Sequence, residues 1–196
     1  NTEAMERLYK KGIDQQNLYR LKNHKQVIFE NLTCETIDFI ISHNLPRSMN
    51  VPYLGSNWDI AHGLTYHGKF QELDHYLKKI PNAVKAKTKH EIDNRFGCGT
   101  ALQLATYQMS HYIPDNLEEN FWLCINILLN YECNVNFRFE NNYKKELTLL
   151  HFLAQKGKTK LIEKTLSKGL NVNVIDENGA TALFYAKDVE TMKLFK

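Results

Sequence analysis

The chain has 196 residues, 43% of them hydrophobic, which is enough to bury one continuous core. Its 25 Lys and Arg stand against 22 Asp and Glu, a net charge of +3 that is too small to argue for nucleic acid on its own. No apolar run reaches membrane-spanning length, no signal peptide is recognisable, and Cys34, Cys98, Cys124 and Cys133 lack the spacing of a disulfide framework.

In chain order, Thr2-Glu3 and Asp14 read as helix starts, and Thr33-Cys34-Glu35-Thr36 begins a further helix with an acid in its first turn. Leu18, Leu21, Val27, Ile28 and Leu32 fit one apolar face, and Ile37, Ile40 and Ile41 fit another. Pro46 to Asn57, with Pro52 and Gly55, predicts a boundary. A short helix at Asp59–Leu64 and a second at Phe70–Leu77 follow, then a long connector from Lys87 to Cys98. Gly99–Ala105 opens the next pair, whose partner helix is Phe121–Leu129, and Phe137–Lys145 is again a long connector.

The strongest signal lies near the end. Thr148-Leu149-Leu150-His151-Phe152-Leu153-Ala154 is followed 33 residues later (181 − 148) by Thr181-Ala182-Leu183-Phe184-Tyr185-Ala186. Between them stand Gly157, the helical spacing of Leu161, Ile162 and Leu166, the closing Gly169-Leu170-Asn171-Val172-Asn173, and the opening Asp176-Glu177-Asn178-Gly179-Ala180. This period and core resemble the ankyrin repeat. The resemblance extends to Gly99-Thr100-Ala101-Leu102-Gln103-Leu104-Ala105, 48 residues before Thr148 (148 − 100), and so in a repeat about 15 residues longer than the family period. It reaches more weakly to Asp59–Leu64 with His62, Gly68 and Val84-Lys85-Ala86.

The resemblance implies an all-α fold, an ankyrin-repeat solenoid of helix pairs with long connectors, plus an N-terminal helical cap. Residues 1–55 are expected to form that cap or a degenerate repeat, or else to be the tail of an upstream domain. Residues 56–196 are expected to be the repeat domain, divided at about 57–90, 91–138, 139–173 and an incomplete 174–196. Asp188–Lys196 begins a second helix and stops, which suggests an excerpt of a longer protein. The resemblance also implies roles. Thr148 and Thr181 would cap first helices, His151 would tie one repeat to the next, and Gly179 would serve a tight turn.

Function follows from the same likeness. Ankyrin proteins bind partner proteins on their concave side, through connector tips and the solvent face of each first helix. Residue by residue this selects Tyr66 and His67, Tyr107 and Gln108, Gln155 and Lys156, and Asp188, with Phe96, Lys144, Lys145, Leu147, Glu177 and Asn178 at connector tips. Tyr66, Phe96 and Tyr107 would supply aromatic anchors. The expected function is therefore a protein–protein interaction module, intracellular, with its cysteines reduced.

Other chemistries find less support. His62, His67 and His75 do not match a zincin spacing, no C-x₂-C pair is present, and no Gly-rich phosphate loop occurs. Gly97-Cys98-Gly99 with His111 or His151 could pair a thiol and a base, yet the repeat pattern already accounts for Gly99 and His151. No catalytic residue, metal or cofactor is expected. Lys78, Lys79, Lys85, Lys87 and Lys89, and again Lys156, Lys158, Lys160, Lys164 and Lys168, form patches that attract phosphate, but Arg is scarce and nucleic acid is disfavoured. The alternative is the substrate-targeting region of a larger multidomain bacterial effector enzyme whose catalytic domain lies outside this sequence. Its partner would be a host protein, and its place the cytosol or nucleus of a host cell.

Overall fold

The computed structural model describes residues 32–51, 55–88, 99–111, 113, 115–140 and 146–195. Among these the protein is mostly helical, with eight α-helices and two short antiparallel hairpins. It divides into two compact units, Asn1–Ala101 and Leu102–Lys196.

The first unit begins with α1 (Cys34–Ser42), started by Thr33: its hydroxyl accepts from Thr36 N–H, while Thr36 Oγ1 accepts from Thr33 N–H at 2.8 Å. This reciprocal cap satisfies two amides that a helix start otherwise leaves open. The stretch expected as a boundary lies inside this unit and pairs as a hairpin, β1 (Ser48–Val51) against β2 (Gly55–Asp59). Asp59 ends the strand and caps α2 (Ile60–Tyr66), accepting from Ala61 N–H at 2.9 Å. Then come α3 (Phe70–Lys79) and a 3₁₀ turn over Pro81–Lys85. Ile37, Ile40, Trp58, Ile60, Leu64, Leu73, Tyr76 and Leu77 are fully buried and make its core.

The second unit contains α4 (Ala101–Ser110) and α5 (Asp115–Leu128). The latter starts before the apolar run, because Asp115 and Glu118 suit the positive end of a helix. Hairpin β3 (Arg138–Glu140) with β4 (Glu146–Thr148) leads into α6 (Leu149–Lys156) and α7 (Thr159–Leu166). A 3₁₀ turn (Ala182–Tyr185) and α8 (Val189–Lys193) close the chain. Phe152 is central: its ring stacks on Trp122 at 5.7 Å and meets the edge of Phe139 at 5.8 Å.

The two pairs α2–α3 and α6–α7 are built alike, 89 residues apart (157 − 68). Gly68 and Gly157 both have φ of 64°, a left-handed conformation that a side chain disfavours. The next residues, Lys69 (φ −84°, ψ 69°) and Lys158 (φ −88°, ψ 66°), match in turn. The hydrogen bonds repeat as well: Lys69 N–H donates to Leu64 O at 2.9 Å and Lys158 N–H to Leu153 O at 3.0 Å. Each pair also follows a hairpin whose last strand residue is the helix N-cap, Asp59 in one and Thr148 in the other.

Candidate functional site

The best-defined polar devices are two buried histidines at matching positions. Asp59 N–H donates to His62 Nδ1 at 3.2 Å, and Thr148 N–H donates to His151 Nδ1 at 3.3 Å, with the Thr148 hydroxyl 2.7 Å from the same nitrogen. Since Nδ1 accepts, the proton sits on Nε2. His62 Nε2–H then donates to Gly99 O at 3.1 Å, and His151 Nε2–H to Ala180 O at 2.9 Å. Both rings are fully buried. Burial holds His62 neutral, its pKa lowered to about 4, and burial also lowers that of His151.

Each histidine grips the base of the connector that follows its helix pair. Thr88 N–H donates to Gly99 O at 3.1 Å, and Gly99 N–H returns to Thr88 Oγ1 at 3.2 Å, so the ends of the first connector are pinned together. In the second unit, Asp176 N–H donates to Ala180 O at 2.9 Å, while Ile175 and Thr181 form a bridge. The distance from histidine to carbonyl is 37 residues in one case and 29 in the other. The connector can therefore lengthen without disturbing the anchor. Asp176 completes the shorter version. Burial pushes its carboxyl up, but donors outweigh that: Tyr185 O–H at 2.5 Å, Ala180 N–H at 2.8 Å and Asn178 N–H at 2.9 Å hold it at about 2. Tyr185 is correspondingly pushed up to about 12 by its bond to Asp176.

Several lysines expected as a phosphate patch are engaged in packing. Lys164 Nζ donates to Asn126 O at 3.1 Å and to the side-chain oxygens of Asn126 and Asn130, each at 2.6 Å. Lys168 Nζ donates to Tyr131 O at 2.7 Å, and Lys158 lies 4.4 Å over the Trp122 ring. In the first unit, Lys69 Nζ donates to Leu32 O, and Asp38 takes His75 at 2.6 Å and Lys79 at 2.7 Å. In the sequence, Lys79, Lys158, Lys164 and Lys168 read as patch charge, and Lys69 carries no reading. Their bonding to carbonyls some 37 residues away needs the fold to be seen.

The expected contact residues fall into three groups. Gln155, Lys156, Glu177, Asn178 and Asp188 are exposed. Of these, Asp188 also caps α8, accepting from Thr191 N–H at 2.8 Å, and that bond lowers its carboxyl pKa. Tyr66, His67, Tyr107 and Gln108 are half-buried. Tyr66 meets Trp58 edge-on at 5.5 Å and His67 at 5.2 Å, and Tyr107 packs on His111 at 4.0 Å, whose Nδ1–H donates to Tyr107 O at 2.8 Å. Phe96, Lys144 and Lys145 lie outside the described residues. Leu147 is a correction: it is 1% exposed, turned inward as the middle residue of β4, and so is no surface contact.

The second unit has an open cavity of about 260 Å³ lined by Asn136, Phe137, Arg138, Thr148, Leu170 and Val174. This is below the usual range for small-molecule sites. Among the described residues no cluster of His, Cys, Asp and Glu is placed to hold a metal, and no helix is long and apolar enough to cross a membrane. Cys34, Cys124 and Cys133 are free thiols, and burial raises the pKa of Cys34 and of Cys133. Comparison with protein-family models gives no match, and no curated protein matches the chain.

Proposed function

We propose that this chain is a protein-recognition module built from ankyrin-type repeats, which takes a partner protein on the first-helix ends and connector tips of its units. One observation carries the reading. The hairpin, the Asp59/His62 or Thr148/His151 pair and the left-handed glycine recur with the same geometry 89 residues apart, and each histidine reaches a carbonyl at the end of the connector that follows. A repeated scaffold of this sort leaves the side chains at its exposed tips free to vary, which suits recognition. The proposal assigns no catalytic residue.

In the second unit the recognition surface would consist of Gln155, Lys156, Glu177 and Asn178, with Tyr107 and Gln108 as half-buried support. Tyr66 and His67 would play the supporting part in the first unit. A photo-cross-linking residue at Gln155 or Asn178, both exposed, should capture a specific protein, whereas the same residue at exposed Glu163 on α7 should not. Capture from Glu163 alone would move the interface to the other helix of the pair. Retention on nucleic acid that vanishes in moderate salt, with no protein captured, would favour the phosphate reading instead.

A further inference from the structure

Asn178 is followed by Gly179, and no other asparagine in the sequence precedes a glycine. That pair has a chemistry of its own. A backbone amide nitrogen can attack the side-chain carbonyl carbon of the asparagine before it, and glycine does so most readily because it has no Cβ to crowd the approach. The pair sits in the turn that the Ile175–Thr181 bridge closes, and both residues are exposed. A Cβ placed on Gly179 would meet no atom of the described residues within 4 Å, so a ring has space to close there. Gly179 N–H donates to Asp176 O at 3.2 Å, whereas Asn178 N–H and Ala180 N–H donate to Asp176 Oδ1 at 2.9 and 2.8 Å. The attacking nitrogen is the least firmly held of the three. Asn171 and Asn173 are exposed as well, but each precedes a valine, whose branched side chain crowds its amide.

We propose that Asn178 is a deamidation site, and that its product loosens the Asp176 turn on which His151 is anchored. Base takes the proton from Gly179 N, the nitrogen bonds to Asn178 Cγ, the Cγ–Nδ2 bond breaks, and ammonia leaves. Water then opens the cyclic imide. Attack at Cγ gives an ordinary aspartate, and attack at the main-chain carbonyl carbon gives an isoaspartate, whose chain runs to Gly179 through Cβ and Cγ.

Either product sets a carboxylate where Asn178 Nδ2 now lies 3.5 Å from Asp176 Oδ2. Asp176 is 4% exposed, and that amide is one of the donors that hold its charge. A donor is lost and a like charge gained in a poorly solvated place. The isoaspartate also lengthens the main chain inside the loop that Asp176 N–H closes on Ala180 O at 2.9 Å. Ala180 O is the atom to which His151 Nε2–H donates, so the disturbance reaches the anchor itself. The reaction needs no partner and is independent of where a partner protein binds.

Mass spectrometry of the chain, kept folded at mildly alkaline pH, tests the proposal. Cleavage after Lys168 and Lys187 yields residues 169–187, which carry Asn171, Asn173 and Asn178 together. Asn178 should convert to a mixture of aspartate and isoaspartate while Asn171 and Asn173 stay intact. A synthetic peptide of the same residues serves as the reference for an unfolded chain. In the deamidated protein, separated by ion exchange, the Ala180 amide should exchange its hydrogen several-fold faster. Asn178→Asp, which adds the charge alone, should speed it too. Asn178→Gln should abolish the mass change and keep the parental exchange. Asn178 still intact in the folded chain once the peptide has converted would overturn the proposal. So would parental exchange at Ala180 after deamidation, since the anchor would then not depend on Asn178.

Discussion

The two copies of the Thr-x-Leu motif in the second unit share their threonine and leucine but not their structure. From Thr148 the chain makes an eight-residue α-helix whose first six residues are buried. From Thr181 it makes a four-residue 3₁₀ turn in which Ala182 alone is buried. Both begin from extended backbone at the threonine, with φ and ψ of −93° and 165° at Thr148 and −84° and 167° at Thr181. What differs is cover. The first motif lies under the Ala180–Lys187 segment, and in the second, among the described residues, Leu183 and Phe184 stay exposed. A short helix is marginal in water by propensity alone and draws its stability from the packing of one face. The motif therefore sets where a helix starts, and burial decides how far it runs.

Truncating the same leucine in both copies gives the largest contrast. Leu150→Ala removes a side chain 1% exposed and should cost about 2–5 kcal/mol, read as a lower urea midpoint at unchanged slope. Leu183→Ala, at 44% exposure, should cost less than about 1 kcal/mol under dilute conditions. Equal losses would mean that Leu183 is covered in solution, and the comparison between the motifs would collapse.

The helices were legible because their signals are local. Thr33, Asp59 and Thr148 each stand at a helix start, and apolar spacing marks the faces that α3 and α7 bury, at Leu73 and Leu77 and at Leu161 and Ile162. The hairpins were not legible. Ser48–Val51 and Arg138–Glu140 read as connectors, since strands this short owe their pairing to the neighbouring chain and not to an alternating pattern of their own. The candidate contact residues were placed by analogy of position, which says nothing about burial. Leu147 turned inward for that reason, and Tyr66 and Tyr107 proved half-buried against Trp58 and His111. The lysine ties to Asn126, Asn130 and Tyr131 carry no signal that separates them from solvated charge.

The histidine anchors give the second test, because both depend on a neutral ring. For His62, whose pKa falls from 6.5 to about 4, the unfolded chain takes up a proton more readily than the folded one. Its contribution is therefore fully present above pH 6.5 and is lost as pH falls toward about 4. The shift corresponds to about 3 kcal/mol. His151, lowered by burial as well, acts in the same direction. Asp176 adds a separate loss at lower pH, between 3.8 and about 2, because its folded form holds the charge more strongly than the unfolded chain does. Asp59, whose carboxyl accepts from Ala61 N–H and Tyr76 O–H, runs the other way. Burial raises its pKa, so protonating it favours the fold and offsets part of the histidine loss at the acid end. Stability followed by urea unfolding should thus decline between pH 6.5 and 4, and His62→Gln should flatten that decline while lowering stability at neutral pH. A profile level across this window in the parent chain would mean that the rings are not held neutral.

The smallest effect isolates cover from composition. Phe184 occupies the position that His151 holds one motif earlier, so Phe184→His restores the earlier residue type without adding anything to pack on it. Were the histidine itself responsible for the longer buried helix, the substitution should extend the Ala182–Tyr185 turn and stabilise the chain by 1 kcal/mol or more, roughly the net worth of a made hydrogen bond. Were cover responsible, the new ring has no carbonyl of a following segment to reach, and stability should move by less than about 0.5 kcal/mol. Proton NMR separates the two outcomes further. An imidazole in water at position 184 should titrate close to the ordinary value of about 6.5, whereas His62 stays neutral down to about 4. A depressed pKa at position 184 would mean that the ring is covered in solution, as the ring at position 151 is within the chain.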